Sequence, residues 1–213
     1  MRLLAAALSA LILMATPAQA SFIPPSGEIF FKAFRDGDEI GFHKVTFARE
    51  GDRIIARTQI ELSIYLAFVR VFHYTHDSTE VWEDGALASL ESRTDDDGTD
   101  EAVRVMRNGT GLDIEGPAYQ GVGAFGLRPT SYWFKDFVSQ REVLNTQTGK
   151  IMPVTIRSEG AETLMLNGTA VETERYFVEE LKLYLWYDAR GQWVRSSFDA
   201  RGTAIEYVIG NYN

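Results

Sequence analysis

FHYTHDSTEVWEDGALASLESRTDDDG, residues 72–98, runs up to one turn signal at Asp84-Gly85 and on to a second at Asp97-Gly98. Read as a strand, its first half sends Phe72, Tyr74, His76, Ser78, Glu80 and Trp82 to one face. His73, Thr75, Asp77, Thr79 and Val81 go to the other face. On a helix His73 and His76 would lie together; on a strand they part and cannot grip one metal ion. The threonine and β-branched content favours the strand. The stretch reads as a β-hairpin, and it sets the fold class for the rest of the chain.

Outward from that hairpin the same grammar repeats. Gly-containing turns recur at RDGDE 35–39, EGD 50–52, NGTG 108–111, QTG 147–149, NGT 167–169 and ARG 189–191 and 200–202. Asp-Gly and Asn-Gly between alternating runs are strong hairpin signals. Between them Ile54, Ala56, Thr58, Ile60, Leu62 and Ile64 share one face, against Arg57, Gln59, Glu61 and Ser63. Leu181, Leu183, Leu185 and Tyr187 do the same, as do Ile205, Tyr207 and Ile209. The expected architecture is all-β: a single antiparallel, strongly curved sheet of roughly ten to twelve strands, a half-open barrel of lipocalin-like or lipoprotein-carrier-like form. Residues 116–146 break the rhythm. They read as a glycine-rich loop and one short helix, capped by Thr130 or Ser131, with Tyr132, Trp133, Phe134 and Phe137 as its apolar face.

The first twenty residues, MRLLAAALSALILMATPAQA, join a basic Arg2, an apolar run from Leu3 to Met14 and a small-x-small Ala18-Gln19-Ala20. That is the pattern of a signal peptide cleaved after Ala20, which leaves residues 21–213 as one β-rich domain. The apolar run is shorter than the ~20 residues that a spanning helix needs. With no cysteine in the chain there is no lipoprotein attachment and no disulfide. The mature protein is expected to be periplasmic, without a transmembrane segment and held by its core alone. Lys plus Arg number 21 against 30 Asp plus Glu, a net charge of −9 with no basic stripe, which argues against nucleic acid as a partner.

Tyr74, His76, Ser78 and Glu80, flanked by Phe72 and Trp82, give the mixed lining of a ligand cavity, and His43 shares a face with Val45 and Phe47. The plainer reading is that these groups satisfy one another inside a curled sheet. TDDDGTDE, 94–101, offers Asp95, Asp97, Asp100 and Glu101 to calcium, but its glycine is misplaced for a helix–loop–helix site and Asp97-Gly98 is already a turn. No Gly-x-Ser-x-Gly elbow, Ser-x-x-Lys pair or phosphate-cradling loop is present, so no catalytic residue, metal or cofactor is assigned.

Several strings resemble one family. GDEIGFHKVTF (37–47), the opening stretch 72–98, LRPTSYW (127–133), LNTQTGK (144–150), LWYDARGQWV (185–194) and FDARGTAIEY (198–207) look like those of domain-of-unknown-function family 6134, made of exported bacterial proteins. The Leu-Trp-Tyr-Asp strand and the terminal Gly-x-x-Ile-Glu-Tyr strand are also similar, more loosely, to unknown-function family 3108. The resemblance implies an all-β, single-domain envelope protein and brings no activity.

Three functions are compatible with this reading. The leading one is a periplasmic carrier or sensor that holds an apolar or amphipathic small molecule, such as a lipid, in the concave face. The run IYLAFVRVFHY, 64–74, apolar on both faces, and the polar residues that interrupt its inner face support it; the plainer reading is a run that crosses between two parts of the core. The second is an envelope protein–protein module using exposed aromatics around Trp186 and Trp193. The third is an acid–base enzyme using Glu80, His76 and one of Asp95–Asp97.

Overall fold

The computed structural model describes residues 23–200 and 202–212; the expected signal peptide and its cleavage point lie outside them. Among the described residues the chain forms sixteen strands. The first eight are β1 (Glu28–Arg35), β2 (Asp38–Glu50), β3 (Arg53–Leu66), β4 (Val69–Glu83), β5 (Ala86–Asp96), β6 (Thr99–Arg107), β7 (Leu112–Glu115) and β8 (Gln120–Gly123). Then come β9 (Arg128–Pro129), β10 (Glu142–Leu144) and β11 (Ile151–Pro153), followed by β12 (Ile156–Leu166), β13 (Thr169–Val178), β14 (Leu183–Asp188), β15 (Trp193–Ala200) and β16 (Thr203–Ile209). Thirteen of them make one curved antiparallel sheet in the order β12 to β16, then β1 to β8. Neighbours in sequence are neighbours in space, save that the last strand closes onto the first, with Phe31 opposite Ile209.

Asp-Gly and Asn-Gly turns place the hairpins. Asp36-Gly37, Asp84-Gly85, Asp97-Gly98 and Asn167-Gly168 all hold both central residues at positive φ. That is the type I′ geometry, which matches the twist of paired strands. Gly41 has a different job. Its backbone passes so near β3 that a Cβ there would stand 1.9 Å from the Glu61 carbonyl oxygen.

The structure differs from the sequence reading in three ways. A second, three-stranded sheet of β9, β10 and β11 sits beside the large one, with β9 and β10 parallel. Strands of two to four residues bounded by Gly and Pro are too short to show alternation, which is why 116–146 reads as loop. The short helix is a 3-10 turn, Lys135–Ser139, with Phe134 at its N-cap and no side-chain cap. Tyr132 takes φ 59 and breaks any helical run from Thr130, whose hydroxyl instead accepts from the Thr146 amide at 3.2 Å. Trp133, Phe134 and Phe137 are buried as the apolar face requires, and Asp136 fixes the turn through bidentate bonds from Arg128. Thirdly, Ile64–Tyr74 does not cross the core. It forms the far end of the β3–β4 hairpin, where Leu66 pairs with Val69 and Phe68 is fully exposed.

One core serves the whole molecule. Phe31, Trp82, Leu90, Val105, Ile114, Trp133, Leu185, Tyr187 and Trp193 belong to a single buried cluster drawn from both ends of the chain. Closing β16 onto β1 makes that possible without any disulfide.

Candidate functional site

Register turns the alternation of single strands into rows across the concave face. Phe31, His43, Ile60, His76 and Thr94 stand side by side from β1 to β5. The next inward-facing row is Val45, Thr58, Ser78, Ser92 and Val103 from β2 to β6. Beyond it come Phe47, Ala56, Glu80, Leu90, Val105 and Ile114. Two polar rows thus cross an otherwise apolar interior. Neighbouring strands lie about 4.8 Å apart, so side chains along a row are within reach of one ligand.

These rows wall an inner chamber of about 230 Å³, lined by His43, Thr58, Tyr74, His76, Ser78 and Ser196 among others. Its roof comes from the irregular segment: Thr130, Ser131, Tyr132, Asn145, Thr146 and Gln147. Ser92 donates to the Thr146 carbonyl at 2.5 Å, and Tyr187 donates to the Tyr132 carbonyl at 2.8 Å, which bolt that roof to both halves of the sheet. An outer chamber of about 440 Å³ shares Ile60, Tyr74, Gln147, Phe198 and Tyr207 with the first. Ile40, Leu62, Ile64, Val71, Phe72 and Ile205 make it apolar, and Arg35 and Asp96 stand on its wall.

The inner chamber carries hydroxyl, amide and imidazole groups on its wall and no Asp, Glu, Lys or Arg side chain. Burial, with His76 nearby, pushes the His43 imidazole down to about 3; burial alone pushes His76 down to about 4. Burial likewise raises the Tyr74, Tyr132 and Tyr207 phenols above their ordinary value, so they stay protonated. His76 Nδ1 is bonded to the Thr94 hydroxyl at 2.8 Å. His43 is different. It is 3% exposed and ringed by Phe31, Trp193 and Tyr207, and neither of its nitrogens has a partner. The Thr58 and Ser78 hydroxyls beside it are also buried without one.

The residues singled out in the sequence separate into two groups. His43, Tyr74, His76, Ser78 and Phe72 wall the chambers. Glu80 and Trp82 line neither one. The Glu80 carboxylate, fully buried, accepts the indole N–H of Trp82 at 2.8 Å and of Trp133 at 3.1 Å. Burial drives its carboxyl up from the ordinary range, against the pull of Ser131, Trp82 and Trp133. Trp82 in turn packs on Trp133 and Phe134, with the Arg128 guanidinium 5.1 Å from its ring.

The acid–base constellation does not assemble. Glu80 lies four residues along β4 from His76, roughly 13 Å away; Asp95 stands opposite Thr75 on the outward face, and Asp96, opposite Tyr74, lines the outer chamber and not the inner one that holds His76. The aromatics expected at an interface are also elsewhere: Trp186 and Trp193 are buried. Trp193 lies 4.3 Å from Phe31 in the core, and Trp186 donates to Glu162 at 2.9 Å. Among the described residues no three His, Asp or Glu side chains converge as metal ligands, and no helix is long and apolar enough to cross a membrane. Thr58, Ser92 and Thr94 were within reach of register reasoning, since each pairs with a β4 residue of the inward face. Thr130, Ser131, Asn145 and Thr146 were not, because a non-periodic loop carries no facing signal.

The fold and the interior define an all-β, barrel-like protein built on one large curved antiparallel sheet. The chain belongs to the family described as Domain of unknown function (DUF6134), whose model matches residues 31–210. It is similar in fold to the crystal structure of a beta-barrel-like protein of Domain of Unknown Function DUF1849 from Brucella abortus. The TM-score is 0.60 at 5% identity, over 86% of this chain and 95% of that one. No curated protein matches.

Proposed function

We propose that this protein is an exported carrier or sensor that holds a neutral amphipathic small molecule, such as a lipid, in its concave face. The polar end of the ligand sits in the inner chamber and its apolar tail in the outer one. The leader pattern of residues 1–20 supports export. One observation carries the ligand reading: His43, buried at the chamber wall with both nitrogens unpartnered, beside the unpartnered Thr58 and Ser78 hydroxyls. Buried polar groups are nearly always satisfied, and each one left unmet costs about 1 to 3 kcal/mol. A hydroxyl or amide head would meet all three. The neutral state of His43 and His76 favours an uncharged head over an anion.

Native mass spectrometry of protein taken from the periplasm should show a bound small molecule, and a uniformly unliganded mass would count against the reading. The variant His43→Phe supplies a sharper test because two effects oppose. Removing the unpartnered nitrogens should raise stability at neutral pH by about 1 kcal/mol. Affinity for a long-chain neutral alcohol or monoacylglycerol should fall roughly tenfold or more. Equal binding by both proteins would remove His43 from the site.

A further inference from the structure

We propose that the tip of the β3–β4 hairpin is a docking element that inserts into a phospholipid bilayer surface and sets the mouth of the cavity against it. The contact is argued from the hairpin itself; only the transfer of ligand through the mouth rests on the carrier reading. β2 last pairs with β3 at Leu62, and β5 last pairs with β4 at Tyr74. Ile64–Phe72 therefore stands clear of the sheet as a two-stranded ribbon, projecting roughly 10 Å. Its root belongs to the cavity, since Ile64, Val71 and Phe72 line the outer chamber. Its tip exposes Tyr65, Leu66, Phe68, Val69 and Val71, each at least half accessible and Phe68 fully so.

Three features suit this tip to lipid rather than to a protein. Its inward-turned backbone groups pair across the ribbon as far as Leu66 and Val69, which leaves only those on its two outer edges for the headgroup layer to meet. Acidic residues make up 30 of 213, about one in seven, yet none occurs between Glu61 and Asp77. Arg70 is the sole formal charge there, and together with Tyr65 it is a residue type that rests at the headgroup boundary. The turn also departs from its neighbours. Four other hairpins turn on Asp-Gly or Asn-Gly, whereas this one places Ala67 at φ 55 and follows it with Phe68. A water-facing turn gains nothing from that strained, apolar choice; a bilayer-facing one does.

The test uses the processed full chain and phosphatidylcholine vesicles. Wild type should sediment with the vesicles, and Phe68→Asp should weaken that association roughly tenfold or more. Because Phe68 touches nothing, the thermal midpoint of Phe68→Asp should match wild type. All four native tryptophans are buried, so Phe68→Trp adds the one exposed indole, and its emission should move to shorter wavelength on vesicle addition. Wild type left in the supernatant, or Phe68→Asp sedimenting equally well, would overturn the proposal. So would a Phe68→Trp signal that responds to vesicle-free periplasmic protein and not to vesicles. Uptake of a monomeric long-chain alcohol, measured without vesicles, keeps the two readings apart. Phe68→Asp that still takes up the alcohol but no longer sediments supports the docking. A chain that sediments through Phe68 yet takes up no alcohol sinks the carrier and leaves the docking standing.

Discussion

Glu80→Ala is expected to destabilise the protein by roughly 3 to 5 kcal/mol, while Glu80→Gln should stay within about 1 kcal/mol of wild type. Alanine strands the indole N–H groups of Trp82 and Trp133, both buried, without an acceptor. It also opens space beneath the roof. Glutamine keeps a carbonyl oxygen for both indoles and turns its amide toward the Ser131 hydroxyl. It removes the cost of ionisation as well. The Glu80 carboxyl is raised above the unfolded value near 4.3, so it disfavours the folded state increasingly as pH rises through and above that value. The gain from glutamine should therefore grow toward alkaline pH. Urea unfolding of the chain from Ser21 to Asn213 at two pH values reads both effects. If alanine and glutamine proved equally mild, the clamp would have no structural weight.

Acidification should unfold this protein through His43 and His76. Their folded values, about 3 and about 4, lie below the unfolded value near 6.5. Between those limits the unfolded chain binds more protons than the folded one, so stability falls as pH falls. It is fully present above about 6.5 and is lost progressively toward 4 and below. From pH 7 to about 4.5 each imidazole should remove roughly 2 to 3 kcal/mol. Glu80 opposes this, because its raised carboxyl becomes less unfavourable over the same descent. Glu80→Gln should accordingly show the steeper acid limb. His43→Phe should flatten it by one proton, about 1.4 kcal/mol per pH unit. Unfolding midpoints measured from pH 7 to 4.5 on the three proteins decide it, and parallel curves for wild type and His43→Phe would mean that His43 is not buried neutral.

A bound ligand would oppose the same acid transition, by mass action on the folded state. The polar rows that weaken the interior are thus the rows that a hydroxyl-bearing head would fill, and stability is set against binding at His43 in particular.

By itself the sequence determined the long strands of the large sheet, their faces and most of their turns. Period-two alternation is a local property, and Asp-Gly or Asn-Gly satisfies the type I′ turn whatever surrounds it. From that alone His76, Ser78 and His43 point inward with Tyr74, and His73 points away from His76. Only the tertiary structure decided which inward residues meet. Glu80 and His76 share a face, yet one is sealed under Trp133, 53 residues distant along the chain, while the other looks into a chamber. Trp193 went from an expected surface to the interior because β1 and β2 bring Phe31 and His43 against it, whereas Trp186 is covered on its own face by Arg195 and its bond to Glu162. The roof of the chamber and the bare ribbon at 64–72 have the same origin. Each depends on where a strand stops relative to its neighbours, which register and closure set and no single strand encodes.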